Sequence, residues 1–300
     1  MSQKIFQYFT SITQKIWHLL RETYAEFSND NASQLGAALA FYTIFSLAPI
    51  LIIIVAIVGI FLGKQSVSDY LLKELTEALG PQNAYYVMST IQSSYQAGSG
   101  LRATLIAIFL MLIGSTTVGV MLKDALNTMW GVENTSSGLW PMVKNRLISL
   151  VIILFVGAFL FLAMVISSVI GTTSAYVSNY IHVPLSLLGW LDNIVSLVLL
   201  TLMFAILFKM LPDVEISWGD VWIGGAITAL LFMLGKFLLG FYLATSTISS
   251  AYGAAGSLVV MLLWVYYSAQ IIFLGAEFTQ VYARNYGSEI VPRKYQHKAV

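Results

Sequence analysis

Residues 147–170 read LISLVIILFVGAFLFLAMVISSVI, with no charged side chain anywhere in the run. An α-helix rises about 1.5 Å per residue, so about 20 apolar residues cross roughly 30 Å of hydrocarbon. This stretch is long enough to do so. Runs of the same kind recur at 35–62, 101–122, 191–208, 221–243 and 254–282. The whole chain is 58% hydrophobic and 10% charged, whereas a soluble domain carries about 25% charge. Its mean hydropathy is +0.80. The sequence therefore predicts an all-α, polytopic membrane protein with about six transmembrane helices.

Three regions follow from these runs: an N-terminal segment 1–34, a membrane domain 35–282 and a tail 283–300. In the first, Ile5, Phe9, Ile12, Ile16, Leu19 and Leu20 recur at helical spacing. An amphipathic helix on the membrane surface fits that pattern, and so does one packed on the protein's own inner face. Lys4, Lys15, Arg21, Glu22, Glu26 and Asp30 interrupt any apolar core that a signal peptide would need. Between the first two spans, 65–100 is polar and broken by Gly80-Pro81. It reads as two short extracytoplasmic helices, one with Leu71, Leu75 and Leu79 on a face, the other with Val87, Ile91 and Tyr95. No segment between spans is large enough for a soluble domain, and no internal repeat is evident.

Orientation follows from lysine and arginine, which accumulate in cytoplasmic loops. With the N-terminus inside, the inner segments hold Lys4, Lys15, Arg21, Lys123, Lys144, Arg146, Lys209, Arg284, Arg293, Lys294 and Lys298. Outside stand Lys64, Lys73 and Arg102. Both termini are thus expected in the cytoplasm. Trp140, Trp190, Trp218 and Trp222 fall near the expected membrane boundaries, where amphipathic rings settle.

A few residues are out of place in lipid. Lys236 lies within the fifth span, where a central lysine costs about 2.5–3.5 kcal/mol. Gly225, Ala229, Phe232 and Gly240 share its face. It reads either as a cation meeting an anionic substrate or relaying protons, or as a lysine snorkelling to the interface. Glu277, near the inner end of the sixth span, matches the depth of Lys123, so the two are expected to form a structural ion pair. Lys236 lies at the opposite end. Pro49 interrupts the first span and frees the carbonyl of Phe45, which Thr43 and Ser46 could serve or, equally, line a polar pocket beside. Tyr266, Tyr267 and Gln270 carry a polar, aromatic stripe through the sixth span. Together with Pro49, Ser46 and Lys236 they are the candidate substrate-binding residues; interhelical hydrogen bonding would use the same side chains.

Chemistry is poorly provided for. The balance of 15 basic and 14 acidic residues leaves no nucleic-acid footprint. The absence of cysteine removes disulfides, thiolate metal sites and cysteine nucleophiles. There is no phosphate-binding glycine loop, no HExxH and no GxSxG. His18, His182 and His297 show no ligand spacing, and Asp213, Glu215 and Asp220 read as solvated loop charge. No enzyme activity, catalytic residue, metal or cofactor is expected.

Several motifs resemble one known family in combination. They are SQLGAALAFYTIFSLAP at 33–49, NTMWGV at 127–132, LPD at 211–213, YGAAGS at 252–257 and LGAEF at 274–278. Over roughly residues 30–285 the chain resembles the YihY/BrkB family of bacterial inner-membrane proteins. That resemblance implies six spans in the cytoplasmic membrane. It points to links with serum resistance and, in one branch, to export of lipid or lipopolysaccharide precursors. The family has also carried a ribonuclease label, ribonuclease BN, which the residues here argue against. It supplies no catalytic residue; the motif residues Pro49, Asn127, Tyr252 and Glu277 are only candidates for whatever the family shares. The leading expectation is a transporter or flippase-like exporter of a lipid or anionic amphiphile, with membrane lipids as its surroundings. The alternative is a non-transporting scaffold or binding protein of the envelope. A channel is third, because rings of charge are scarce.

Overall fold

Pro49 gives the first membrane helix its shape. In the computed structural model, which describes residues 2–96, 101–132, 139–180, 185–245, 252, 256–288 and 290–292, helix α2 (Ala32–Leu62) contains Pro49. Its halves, Ala32–Leu47 and Pro49–Leu62, meet at 54°. The proline lacks an N–H, and its ring excludes the carbonyl one turn back. The bend rests on α5 (Leu101–Met129). Ser46 donates to the carbonyl of Gly114 at 2.5 Å, and a Cβ on Gly114 would sit 3.5 Å from the proline ring.

Before α2 comes α1 (Ser2–Asn29); Asn31, left-handed at φ 53°, turns the chain between them. After α2 come α3 (Lys64–Leu79) and α4 (Pro81–Gln96), separated at Gly80. These two fold back on α2: Val67, Leu71 and Met88 close a core with Leu51, Ile54, Val55 and Val58. The remaining helices are α6 (Leu139–Tyr180), α7 (Leu185–Met210), α8 (Trp218–Thr245) and α9 (Gly256–Tyr286).

Helices α7, α8 and α9 pack in sequence, and α9 also packs on α2 and α1. Small residues allow the close approach. A Cβ on Gly225 would lie 2.8 Å from the Thr201 carbonyl oxygen of α7, so backbone meets backbone there. Between α8 and α9 the packing is reciprocal: Gly224 faces Thr279 and Gly275 faces Thr228. Each threonine hydroxyl bonds its own helix, Thr228 to the carbonyl of Gly224 at 2.7 Å and Thr279 to that of Gly275 at 2.6 Å. Phe204, Phe208, Phe273 and Leu126 fill the centre of the larger core.

Among the described residues, four stretches are long and apolar enough to cross a membrane: Val143–Ile166, Asn193–Met210, Trp218–Leu243 and Leu258–Tyr286. The bent pair in α2 makes up to five. The predicted span 101–122 falls in α5, where the side chains of 101–113 lie outside the described residues, as do 253–255 at the expected start of the last span. The chain is an all-α membrane protein with one small exception. Val214–Glu215 (β1) and Val291–Pro292 (β2) pair antiparallel, with Val214 opposite Pro292. This ribbon ties the residues after α9 to the α7–α8 loop.

Helix α1 both packs and presents an apolar face. Thr23 is buried, while Ile16, Leu20 and Tyr24, spaced one turn apart, are exposed together with Trp17. A stripe of that kind suits a membrane interface.

Candidate functional site

Ionisable and polar groups converge where α1 crosses α9. Thr23 and Glu26 on α1 and Asp30 in the turn that ends it recur at helical spacing; on α9, Glu277, Gln280 and Arg284 do the same. The helices meet antiparallel, so Arg284 reaches the earlier turn and Glu277 the later one. Arg284 bonds Glu22 at 2.5 Å and Glu26 at 2.8 Å, and Asn285 adds a bond to Glu22 at 2.8 Å. Burial opposes ionisation of Glu22, but the bonds from Arg284 and Asn285 and the charge of Arg284 hold its carboxyl below the usual range. Asp30 shifts the other way. Burial raises it, its interaction with the Glu277 carboxyl pulls it back, and the negative charge of Glu26 adds to the rise.

Glu277 itself is 0% exposed, and neither of its carboxyl oxygens receives a donor from the described residues. Of the ionisable groups around it, Asp30 acts on it most strongly. Among the described residues, other buried polar atoms on α9 or on α1 also lack partners: Thr23 Oγ1, Gln270 Nε2 and Gln280 Oε1. Buried polar atoms are normally bonded, so a group of open ones marks a place where something else is accommodated.

The predicted ion pair between Glu277 and Lys123 does not form. Lys123 bonds Asp213 at 2.8 Å and the Asn145 side chain at 3.2 Å. The reason is the α7–α8 loop, which carries Asp213 under the end of α5. Asn127 fixes it there: its Nδ2 donates to the Asp213 carboxylate at 3.1 Å, and its Oδ1 accepts the Asp213 N–H at 2.8 Å. Two motifs distant in sequence, 127–132 and 211–213, thus meet through one amide.

Lys236 does not meet Glu277. It bonds Glu77 at 3.1 Å and approaches Glu74 at 3.9 Å, both on α3. Since α3 begins where α2 ends and Asp30 precedes α2, Lys236 and Glu277 lie at opposite ends of α2. Of the stripe on α9, Gln270 sits directly against Gly36 of α2 and Tyr267 against Gly235 of α8, while Tyr266 is half-buried. Ser46 and Pro49 are held together by the bend. Gln270 and Glu277, two turns apart, share one face of α9 and so run toward α1.

A second feature is apolar. Between α2 and α6 lies a groove of about 290 Å³, lined by Ile53, Ile57, Phe61, Leu154, Gly157 and Phe161 among others. Ile57, Phe61 and Leu154 are exposed, so the groove is open on its outer side. Among the described residues, no group of His, Asp or Glu is arranged to hold a metal ion.

Reading along the sequence missed Asp30, Glu26 and Arg284 as members of a site. The available signal was their spacing: Thr23, Glu26 and Asp30 recur at helical intervals through the end of α1.

No solved structure matches the chain. Among curated proteins it is similar to UPF0761 membrane proteins. That of Psychrobacter sp. (strain PRwf-1) is 26% identical over 279 residues, covering 92% of this chain and 50% of the relative. That of Ralstonia nicotianae (strain ATCC BAA-1114 / GMI1000) is 27% identical over 266 residues, covering 87% and 58%. That of Delftia acidovorans (strain DSM 14801 / SPH-1) is 28% identical over 264 residues, covering 87% and 60%. The chain therefore spans little more than half the length of these relatives. The virulence factor BrkB family matches residues 23–299, which takes in the bend at Pro49, the Asn127–Asp213 tie and the Asp30–Glu277 contact alike; this multi-pass membrane protein belongs to that family.

Proposed function

We propose that this chain is a transporter or flippase-like exporter that moves a lipid or anionic amphiphile across the bacterial cytoplasmic membrane. In this reading it has six spans, both ends lie in the cytoplasm, and it performs no chemistry on its cargo and binds no nucleic acid. One observation carries the reading: the open-sided apolar groove between α2 and α6, directly after the bend at Pro49. Its volume is near the lower end of ligand pockets, roughly 300–1,000 Å³. Its walls suit an acyl chain, and its open side allows entry from the bilayer. A bent helix offers the freed backbone that transport proteins place beside their paths. Gln270, with its amide unpartnered at the α2–α9 contact, is the polar group this reading assigns to a headgroup. Lys236 ties α3 in place.

The test is lipid movement in proteoliposomes. A Gly157→Phe, Ile57→Trp variant fills the groove with side chain and should slow fluorescent lipid transfer by about tenfold or more, which is about 1.4 kcal/mol of lost preference. Transfer equal to wild type in the filled variant would remove the groove from the path. A wild-type protein that moves no lipid, yet still holds envelope proteins, would favour the scaffold reading instead.

A further inference from the structure

The charges at the α1–α9 crossing do not balance. Arg284 is occupied by Glu22 and Glu26, leaving Asp30 and Glu277 facing one another further along. Glu277 enters from a separate helix, fully buried, with no donor for either oxygen among the described residues. A buried carboxylate without partners costs several kcal/mol. Two ionised carboxyls have only acceptors to offer each other, and one proton turns their contact into an O–H···O bond.

The other elements packed around Glu277 supply no replacement. Helix α1 adds Glu26, which is negative, and Thr23; α9 itself adds Arg284. From α5, Lys123 is held by Asp213 and Asn145. On α8, Asp220 accepts from Ser288 at 2.7 Å, and the residues facing this part of α9 are Gly224 and Thr228. Helix α2 faces α9 with Gly36.

We propose that Asp30 and Glu277 form a proton-binding site, in which one hydrogen is held between the two carboxyls and is released to water as the pH rises, loosening α1 from α9. The ligand is the proton itself, and the site is defined by its uptake whether or not the protein moves lipid. The behaviour of Asp30 agrees, since burial first, and then the charge of Glu26, raise it above its ordinary value against the pull of the facing Glu277 carboxyl. For such a group the folded state binds the proton more tightly than the unfolded chain. Its stabilising contribution is full below the ordinary carboxyl range and is lost as pH rises through the raised value.

Infrared difference spectroscopy on the full chain in lipid nanodiscs reads the proton directly. Wild type should lose one protonated-carboxyl band between neutral and alkaline pH, accompanied by faster proteolysis within α1. Glu277→Gln, which keeps the shape of the neutral acid, should lack that band and keep α1 protected at alkaline pH. Asp30→Asn supplies an amide donor instead and should lower the midpoint of the band by about one pH unit or more, or abolish it. Absence of the band in wild type would overturn the proposal, as would a band with unchanged midpoint in Asp30→Asn. Should Glu277→Gln fail to fold, the Asp30→Asn midpoint alone decides.

Discussion

Two lysines, each paired with a carboxylate, sit at opposite ends of this bundle. Lys123 meets Asp213 at 2.8 Å with its side chain only 5% exposed. Lys236 meets Glu77 at 3.1 Å with its side chain 40% exposed. Chemistry and distance are nearly the same; burial is not. Removing one partner of a buried pair strands a charge that has already left water, whereas an exposed pair dissolves back into solvent. The lysine that interrupts an apolar run is therefore the less consequential of the two, and the one that resembles a loop-end charge holds three segments of the protein together.

The largest effect should follow from Asp213→Ala. It leaves the Lys123 ammonium buried with only the Asn145 side chain as partner, and thermal unfolding in detergent should show a loss of about 3–5 kcal/mol. A double variant, Asp213→Ala with Lys123→Met, should recover much of that loss, because no charge is then left unpaired. Equal losses in the single and double variants would mean that the pair contributes through packing alone.

Next in size is Asn127→Ala. Asn127 is fully buried and satisfies both the N–H and the carboxylate of Asp213. Its truncation orphans a backbone donor and lets the loop shift, so a cost of about 1–3 kcal/mol is expected. Asn127→Asp keeps the acceptor for the Asp213 N–H but sets a second carboxylate against the first, and should be no better than alanine. Recovery of wild-type stability with aspartate would show that only the backbone bond matters.

How much of this was legible in the sequence depends on which coordinate is asked for. Depth was legible: long apolar runs with at most one charge mark the membrane helices, Pro49 marks the bend, and Glu277 stands out as an acid near a span end. Azimuth was not. These helices are apolar nearly all round, so no amphipathic stripe says which face turns toward which neighbour. Lys123 and Glu277 were paired on depth alone; the α7–α8 loop, whose Asp213 looked like solvated charge, intervened. Asp30 was invisible for a similar reason, since nothing in the N-terminal segment says that α1 folds back onto α9. The groove between α2 and α6 depends on two helices brought together by the fold, and no local pattern announces it. Resemblance to a family pointed to Asn127 and to the 211–213 motif separately, but not to their contact.

The smallest effect is expected at the other lysine. Lys236→Met leaves Glu74 and Glu77 on an exposed face of α3, where water can solvate them, so the cost should stay below about 1 kcal/mol. The methionine also removes the expense of a charge on a membrane helix, which offsets part of even that loss. What should change is the hold on α3. That helix keeps its apolar contacts through Val67 and Leu71, but loses the ionic tie between α3 and α8, and protease access to the Gly80 turn should rise while the unfolding midpoint barely moves. A loss comparable to that of Asp213→Ala would mean that lipid and headgroups shield this pair from water as thoroughly as the protein shields Lys123, and burial would then no longer distinguish the two ends.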